Sequence, residues 1–150
     1  MSDGRPDQYI LFLVAGTTYA LPSHNVAHVE MVEHVTRVPN APAFVDGVVL
    51  SRGQVVPAVN MRARFGFERV EAGMKARLLV TQSRGRNVGL LVDECREFLS
   101  IAGAAIQPPG EAVSEIAARY VIGIATLGDR LIVVLNLDEL LDSAEPILAA

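Results

Sequence analysis

The stretch Gly47-Val48-Val49-Leu50-Ser51-Arg52-Gly53-Gln54-Val55-Val56-Pro57-Ala58-Val59-Asn60-Met61-Arg62 decides how this chain folds. It holds two short apolar runs, residues 47–51 and 54–59, separated by the pair Arg52-Gly53. Valine-rich runs broken by a two-residue pair ending in glycine are the pattern of a β-hairpin. Glycine in that pair supplies the positive φ of a tight turn. The second run ends at an asparagine followed by a helical turn.

Moved along by 76 positions, the same unit returns: residues 47–62 lie on residues 123–138 without a gap. Gly47 meets Gly123 and Asn60 meets Asn136, while Val48, Val55, Val56 and Ala58 meet Ile124, Leu131, Ile132 and Val134. Val59 and Met61 likewise meet Leu135 and Leu137. Two glycine-led hairpins of this form read as one structural unit used twice. Asn136 with Glu139 resembles a capping box that opens a short helix over residues 137–142.

The flanking sequence is mostly strands as well. Residues 9–15 form a continuous apolar run, Gly16-Thr17-Thr18 turns it, and Tyr19-Ala20-Leu21 returns. Ser23 is suited to cap a short helical turn that puts Val26 and Val29 on one face, and residues 32–38 read as extended. Residues 77–82 and 88–93 make another hairpin around a polar loop, 96–101 a further strand, and 120–127 with 130–136 the last hairpin. Many short strands at this spacing predict a mainly β protein of small barrels rather than a helix-covered parallel sheet.

At 150 residues and 16.1 kDa there is room for one compact domain, or for two sub-barrels sharing a core. An apolar fraction of 51% against 20% charged excludes intrinsic disorder. No apolar run approaches the roughly 20 residues that span a bilayer, so no membrane insertion is expected. The polar, acidic start is not a signal peptide, and the single cysteine, Cys95, allows no internal disulfide, which together predict a cytoplasmic protein. The charge is uneven: −3 over residues 1–51, +6 over 52–86 and −7 over 87–150. The basic middle could meet anions, but its acidic flanks repel a polyanion, and the chain has no tryptophan and few aromatics to stack on bases. Nucleic acid is therefore not the expected partner.

No constellation of residues assembles a reaction. His24, His28 and His34 cluster in sequence, and His24 with His28 would share a helix face, but Asn25 follows His24 where a zinc-protease motif has glutamate. Ser23 beside His24 lacks a glycine-framed elbow, and Asp93-Glu94 point to opposite faces of a strand. Gly85 and Gly89 lack a phosphate-loop lysine, and Cys95 in its apolar stretch reads as an inert core thiol. Neither a metal nor a cofactor is implied, and no enzyme activity is expected.

The hairpin residues carry a resemblance. Residues 44–62, with Arg52-Gly53 at their centre, resemble the signature of the CheW family of chemotaxis coupling proteins. The opening Leu11-Phe12-Leu13-Val14 with Tyr19-Ala20-Leu21-Pro22 and Val26 is similar too, as are Val35-Thr36-Arg37-Val38-Pro39, Gly89-Leu90-Leu91-Val92-Asp93 and the closing hairpin. The resemblance covers residues 8–142. It implies two small five-stranded SH3-like β-barrels around a shared hydrophobic core with short helices. Barrel one is expected over residues 17–75, and barrel two over residues 8–15 plus 76–142. Residues 1–7 are expected as a flexible N-terminus and 143–150 as a tail.

It also implies a non-catalytic adaptor with two partners: the regulatory domain of a CheA-type histidine kinase, and the cytoplasmic helical tip of a chemoreceptor (a methyl-accepting chemotaxis protein) in a groove between the barrels. The adaptor would be cytoplasmic and recruited to membrane-associated receptor arrays. Carried over position by position, the partner-binding residues are Arg52, Gly47, Val26, His28, Gly53, Val48 and Leu90. The chain departs from the family pattern at three places: Leu50-Ser51 replaces Asn-Leu, Asn60 replaces the helix-opening aspartate, and His28 stands where glutamate is common. The alternative reading is a stand-alone β-barrel that binds a small anion through Arg62, Arg64, Arg84 and Arg86.

Overall fold

The computed structural model describes residues 7–112 and 117–142. Among these the order is β1 (Asp7–Val14), β2 (Thr17–Pro22), β3 (Val26–Met31), β4 (Val45–Ser51), β5 (Gln54–Asn60), α1 (Met61–Arg64), β6 (Arg77–Ser83), β7 (Arg86–Val92), β8 (Glu94–Ile101), β9 (Ile106–Gln107), β10 (Val121–Leu127), β11 (Arg130–Leu135) and α2 (Leu137–Asp142). The expected tail, residues 143–150, and most of the expected N-terminal segment lie outside the described residues, although Asp7 already belongs to β1.

The strands form a six-stranded sheet, ordered β8-β1-β2-β11-β10-β9, and a five-stranded sheet, ordered β3-β6-β7-β5-β4. At the centre of each sheet, two antiparallel hairpins are joined by one parallel pair, β11 on β2 or β5 on β7. The mainly β, two-part architecture is the expected one, and the sixth strand of the larger sheet is the two-residue β9.

The division of the chain between the parts differs from the expectation. Strand β2 lies in the six-stranded sheet, and the β6–β7 hairpin lies in the five-stranded one. One half is therefore residues 26–92, and the other is residues 7–22 completed by 94–135. The error has a physical cause. Hairpins β1–β2 and β6–β7 carry the same apolar pattern, and a pattern reports which faces are buried, not which strand lies alongside.

Two further expectations fail near β3. Only Ser23–Asn25 forms a helical turn, a single 3₁₀ turn, and Val26–Met31 is a strand. Residues 32–38 form no strand, only an isolated bridge between Thr36 and Val48.

The buried residues fall into three groups. Tyr9, Leu11, Ala20, Ala125, Ile132 and Val134 fill one face of the larger sheet. Val49, Val56, Ala58, Leu78 and Val80 fill one face of the smaller. Between them lies the shared core, which includes Ile10, Phe12, Leu21, Val59, Leu79 and Leu90. Strand β1 thus sends Tyr9 and Leu11 one way and Ile10 and Phe12 the other, which is why it reads as an unbroken apolar run. Each such fully buried side chain stabilises the fold by roughly 1.5–3 kcal/mol relative to exposure.

The sequence repeat is a structural repeat. Gly47 and Gly123 both sit at a register shift in the first strand of their hairpin. A Cβ on Gly47 would stand 2.1 Å from the Thr36 carbonyl oxygen, and one on Gly123 would stand 2.4 Å from that of Gln107. Both places therefore require glycine. Asn60 and Asn136 each cap a helix, their Oδ1 accepting from the backbone N–H of Ala63 and Glu139, both at 3.0 Å. Their own N–H groups donate to the carbonyls of Phe44 and Tyr120, at 2.7 and 2.8 Å.

Each helix reaches toward the opposite half. Phe65, which ends α1, stacks on Tyr19 of β2 and on Tyr120. In return, Asp138 of α2 accepts a 2.6 Å hydrogen bond from Ser83 of β6, and Asp142 pairs with Arg84 in the β6–β7 turn.

Candidate partner-binding surface

Strands β3 and β4 are the two edges of the five-stranded sheet, yet their side chains meet. The Ser51 hydroxyl donates to Glu30 Oε2 at 2.6 Å, and His28 Nε2 lies 3.0 Å from Ser51 Oγ and 2.5 Å from Glu30 Oε2. Because the single hydroxyl proton goes to Glu30, Nε2 of His28 carries a proton and donates. The Thr36–Val48 bridge spans the same seam, with N–H to O distances of 2.9 and 2.8 Å. The sheet therefore curls until its edges are closed by side chains and one bridge.

The Ser–His–Glu trio is not a hydrolytic triad. Such a triad needs the acid on the ring nitrogen opposite the serine, so that the serine-facing nitrogen is free to take a proton. Here acid and serine share Nε2, and Ser51 is buried.

With Ser51 facing inward, its neighbours face outward. Leu50 and Val55 sit opposite each other across β4 and β5, 73% and 68% exposed. Beyond them Arg52 and Gly53 form the turn, with φ of 49° and 80°. Among the described residues no hydrogen bond or ion pair holds the Arg52 guanidinium, which stands exposed at the tip. A guanidinium thus stands beside two large exposed apolar side chains.

The predicted partner-binding residues do not form one site. Arg52 and Gly53 are at the exposed tip, and Val48 and His28 are half-buried nearby on β4 and β3. Val26 is half-buried against the shared core. Gly47 is buried under Thr36, and Leu90 is fully buried in the shared core, so neither offers a side-chain contact to a partner. Missed in the sequence were Leu50, Val55, Met31 and Phe98, all large, apolar and exposed. Period-two alternation counted from the inward Val49 and Ser51 could have found Leu50. Phe98 pairs with Ile10, so it stands on the shared-core side of the larger sheet, at the rim.

The arginines of the anion-binding reading are committed elsewhere. Arg62 makes a two-pronged contact with Asp93, 2.8 Å at the closest, and Arg84 is paired with Asp142. Arg64 is buried, donating from Nε and Nη2 to the Leu140 carbonyl at 3.1 and 3.0 Å, over the rings of Tyr120 and Phe44. Burial holds its guanidinium below the usual arginine value. Of the four, Arg86 alone is exposed without an ion pair among the described residues. The histidines divide as well: His24 lies on the 3₁₀ turn and His28 on β3, so they share no helix face. Cys95 is half-buried against the shared core, and burial pushes its thiol up.

A glycine-led hairpin used twice, capped each time by asparagine and closed around one shared core, matches the CheW-like domain over residues 8–145. The chain belongs to the CheW-like domain family. Among its relatives, the chemotaxis protein CheW of Helicobacter pylori is 31% identical over 89% of this chain and 81% of its own length. That of Klebsiella aerogenes is 28% identical over 92% and 83%, and protein FrzA of Myxococcus xanthus is 28% identical over 95% and 91%. The crystal structure of the scaffolding protein TtCheW from Thermoanaerobacter tengcongensis superposes with a TM-score of 0.82, at 29% identity, over 90% of this chain and 92% of that one.

Within the CheW-like pattern the three departures now have places. His28 and Ser51 touch each other. Asn60 caps α1 as an aspartate would, and its Nδ2 also donates to Asp46 Oδ2 at 2.9 Å, which an ionised aspartate could not do.

Proposed function

We propose that this chain is a chemotaxis adaptor that couples chemoreceptors to a CheA-type histidine kinase, working by surface contact and not by catalysis. Membership of the CheW-like family carries the reading, and the exposed tip of the β4–β5 hairpin supports it. Two surfaces suit two partners. The tip, with Leu50, Arg52 and Val55, offers apolar area with a guanidinium fork suited to carboxylates or backbone carbonyls. The rim of the shared core, where Phe98 is exposed beside β1, suits the apolar stripe of a helical receptor tip. No described helix is long and apolar enough to cross a membrane, and the proposed location is the cytoplasmic face of a receptor array.

Size-exclusion chromatography of the chain with a kinase regulatory domain and a receptor cytoplasmic fragment tests the proposal. A shared early-eluting peak containing all three supports it. Unchanged elution of each component refutes it. The anion-binding reading is disfavoured because Arg62, Arg64 and Arg84 already have internal partners.

A further inference from the structure

Residues 66–76 run from the end of α1 to β6 as an irregular strap over the flank of the smaller sheet. The strap is tied at both ends. Arg69 donates to Asp46 Oδ1 at 2.9 Å and to the Ala43 carbonyl, and Arg77 donates to the carbonyls of Met74 and Ala76 at 3.0 and 2.8 Å. Its apolar side chains do not collapse onto the sheet. Phe67, Val70 and Met74 remain 44%, 54% and 95% exposed, and a cleft of about 350 Å³ is left beneath.

The floor of this cleft is apolar, made by Val32, Val35, Leu91 and Val92. Its polar lining consists of Asp46, Asn60, Arg62, Glu71 and Asp93. Asp46 and Asp93 are fixed by their bonds to Asn60 and Arg62, at 2.9 and 2.8 Å. A carboxylate has about four acceptor positions. Asp46 uses two of them, for Arg69 and Asn60, and its side chain is still 28% exposed. Glu71 forms no ion pair among the described residues. With Asp46 neutralised by Arg69 and Asp93 by Arg62, Glu71 leaves the cleft one negative charge in excess. An anion entering it would face three carboxylates against the one guanidinium of Arg62, which is already held by Asp93. A guest with an ammonium head and a short aliphatic body would put donors where acceptors remain and methylenes where the floor is valine and leucine. A cleft of this volume is at the small end for ligand sites, which suits a guest of that size.

We infer that the cleft beneath the 66–76 strap binds short aliphatic amines, a site separate from the partner-binding tip. The experiment uses the full chain and three probes of equal length: n-hexylamine, n-hexanol and hexanoate, each titrated while backbone amide shifts and the thermal midpoint are followed. Saturable shifts at Val70, Ala72, Leu91 and Val92 with hexylamine, weaker ones with hexanol and none with hexanoate are expected. Glu71→Gln, a change on the exposed strap, is expected to weaken hexylamine at least threefold. Ala72→Phe, which fills the roof, is expected to abolish its binding while leaving hydrodynamic size unchanged. Absence of saturable shifts at the cleft with hexylamine overturns the inference, as does equal or tighter binding of hexanoate. Because no kinase or receptor enters the test, failure here leaves the adaptor reading untouched.

Discussion

His28 Nε2 stands 3.0 Å from Ser51 Oγ, so two of the three departures from the CheW-like pattern are in contact with each other. A serine buried in place of leucine needs partners for its hydroxyl, and Glu30 and His28 supply them. The same contact joins the two edges of the five-stranded sheet, next to the exposed tip.

That contact predicts energetic coupling. His28→Ala and Ser51→Ala are each expected to cost about 1–2 kcal/mol in urea unfolding, since each strands a partly buried hydrogen-bonding group. The double variant is expected to cost about 1 kcal/mol less than the sum. Simple additivity would mean that the two side chains do not stabilise each other.

Gly47 and Gly123 are expected to behave alike. Alanine at either brings a Cβ within 2.4 Å of a carbonyl oxygen and forces a backbone shift, so a loss of more than about 2 kcal/mol is expected. Gly128→Ala, where nothing stands within 4 Å and only the φ of 63° is strained, is expected to cost about 1 kcal/mol. Chemical denaturation of the three variants checks the ranking. It follows that Gly47→Asp should lose its melting temperature together with its partners, and so cannot serve as a clean interface probe.

Arg52 tests the tip. Its φ of 49° places an L-residue in the left-handed region, so the turn does not rest on Gly53 alone. Arg52→Gly and Arg52→Asn are expected to raise stability by a few tenths to about 1 kcal/mol, and Arg52→Ala to leave it nearly unchanged. All three are expected to weaken the receptor–kinase assembly about tenfold, the loss of roughly 1.4 kcal/mol of contact. Titration calorimetry showing unchanged affinity at physiological salt would leave Arg52 a solvated turn residue.

Arg64 holds α2 through the Leu140 carbonyl, over two aromatic rings, and pairs with no carboxylate among the described residues. Arg64→Ala leaves a cavity and an orphaned carbonyl and is expected to cost about 3 kcal/mol. Arg64→Met keeps most of the volume and removes a desolvated charge, so a smaller loss is expected. Hydrogen exchange should report faster amides in α2 in both variants. Equal losses for Ala and Met would mean that only the hydrogen bonds matter.

Burial raises the Cys95 thiol, with Arg77 acting in the opposite sense as the lesser influence. A raised value means less thiolate at any given pH, and the thiolate is the nucleophile. Iodoacetamide is therefore expected to alkylate Cys95 more slowly than a free thiol at pH 8, with the half-maximal rate reached at higher pH. Reaction as fast as that of glutathione would contradict the burial.

The sequence by itself determined the repeated hairpin, the two asparagine caps and the mainly β class. These rest on local chemistry: a two-residue turn, a side chain reaching three residues ahead, and alternation along a strand. It also marked Arg52 as exposed, because the tip of a tight turn has nowhere else to put a side chain. What only the tertiary structure decided were the partners. The β6–β7 hairpin joins β5 through a parallel pair that no local signal announces. Leu90, an apolar residue in an apolar strand, proved to be core, whereas Leu50 in an equally apolar strand proved to be surface. Each strand holds four aliphatic residues in seven, and the difference lies in what covers them: β7 has the six-stranded sheet against it, while the outer face of the β4–β5 tip has solvent. Burial of an apolar side chain is a property of two surfaces meeting, and a sequence read alone shows one surface at a time.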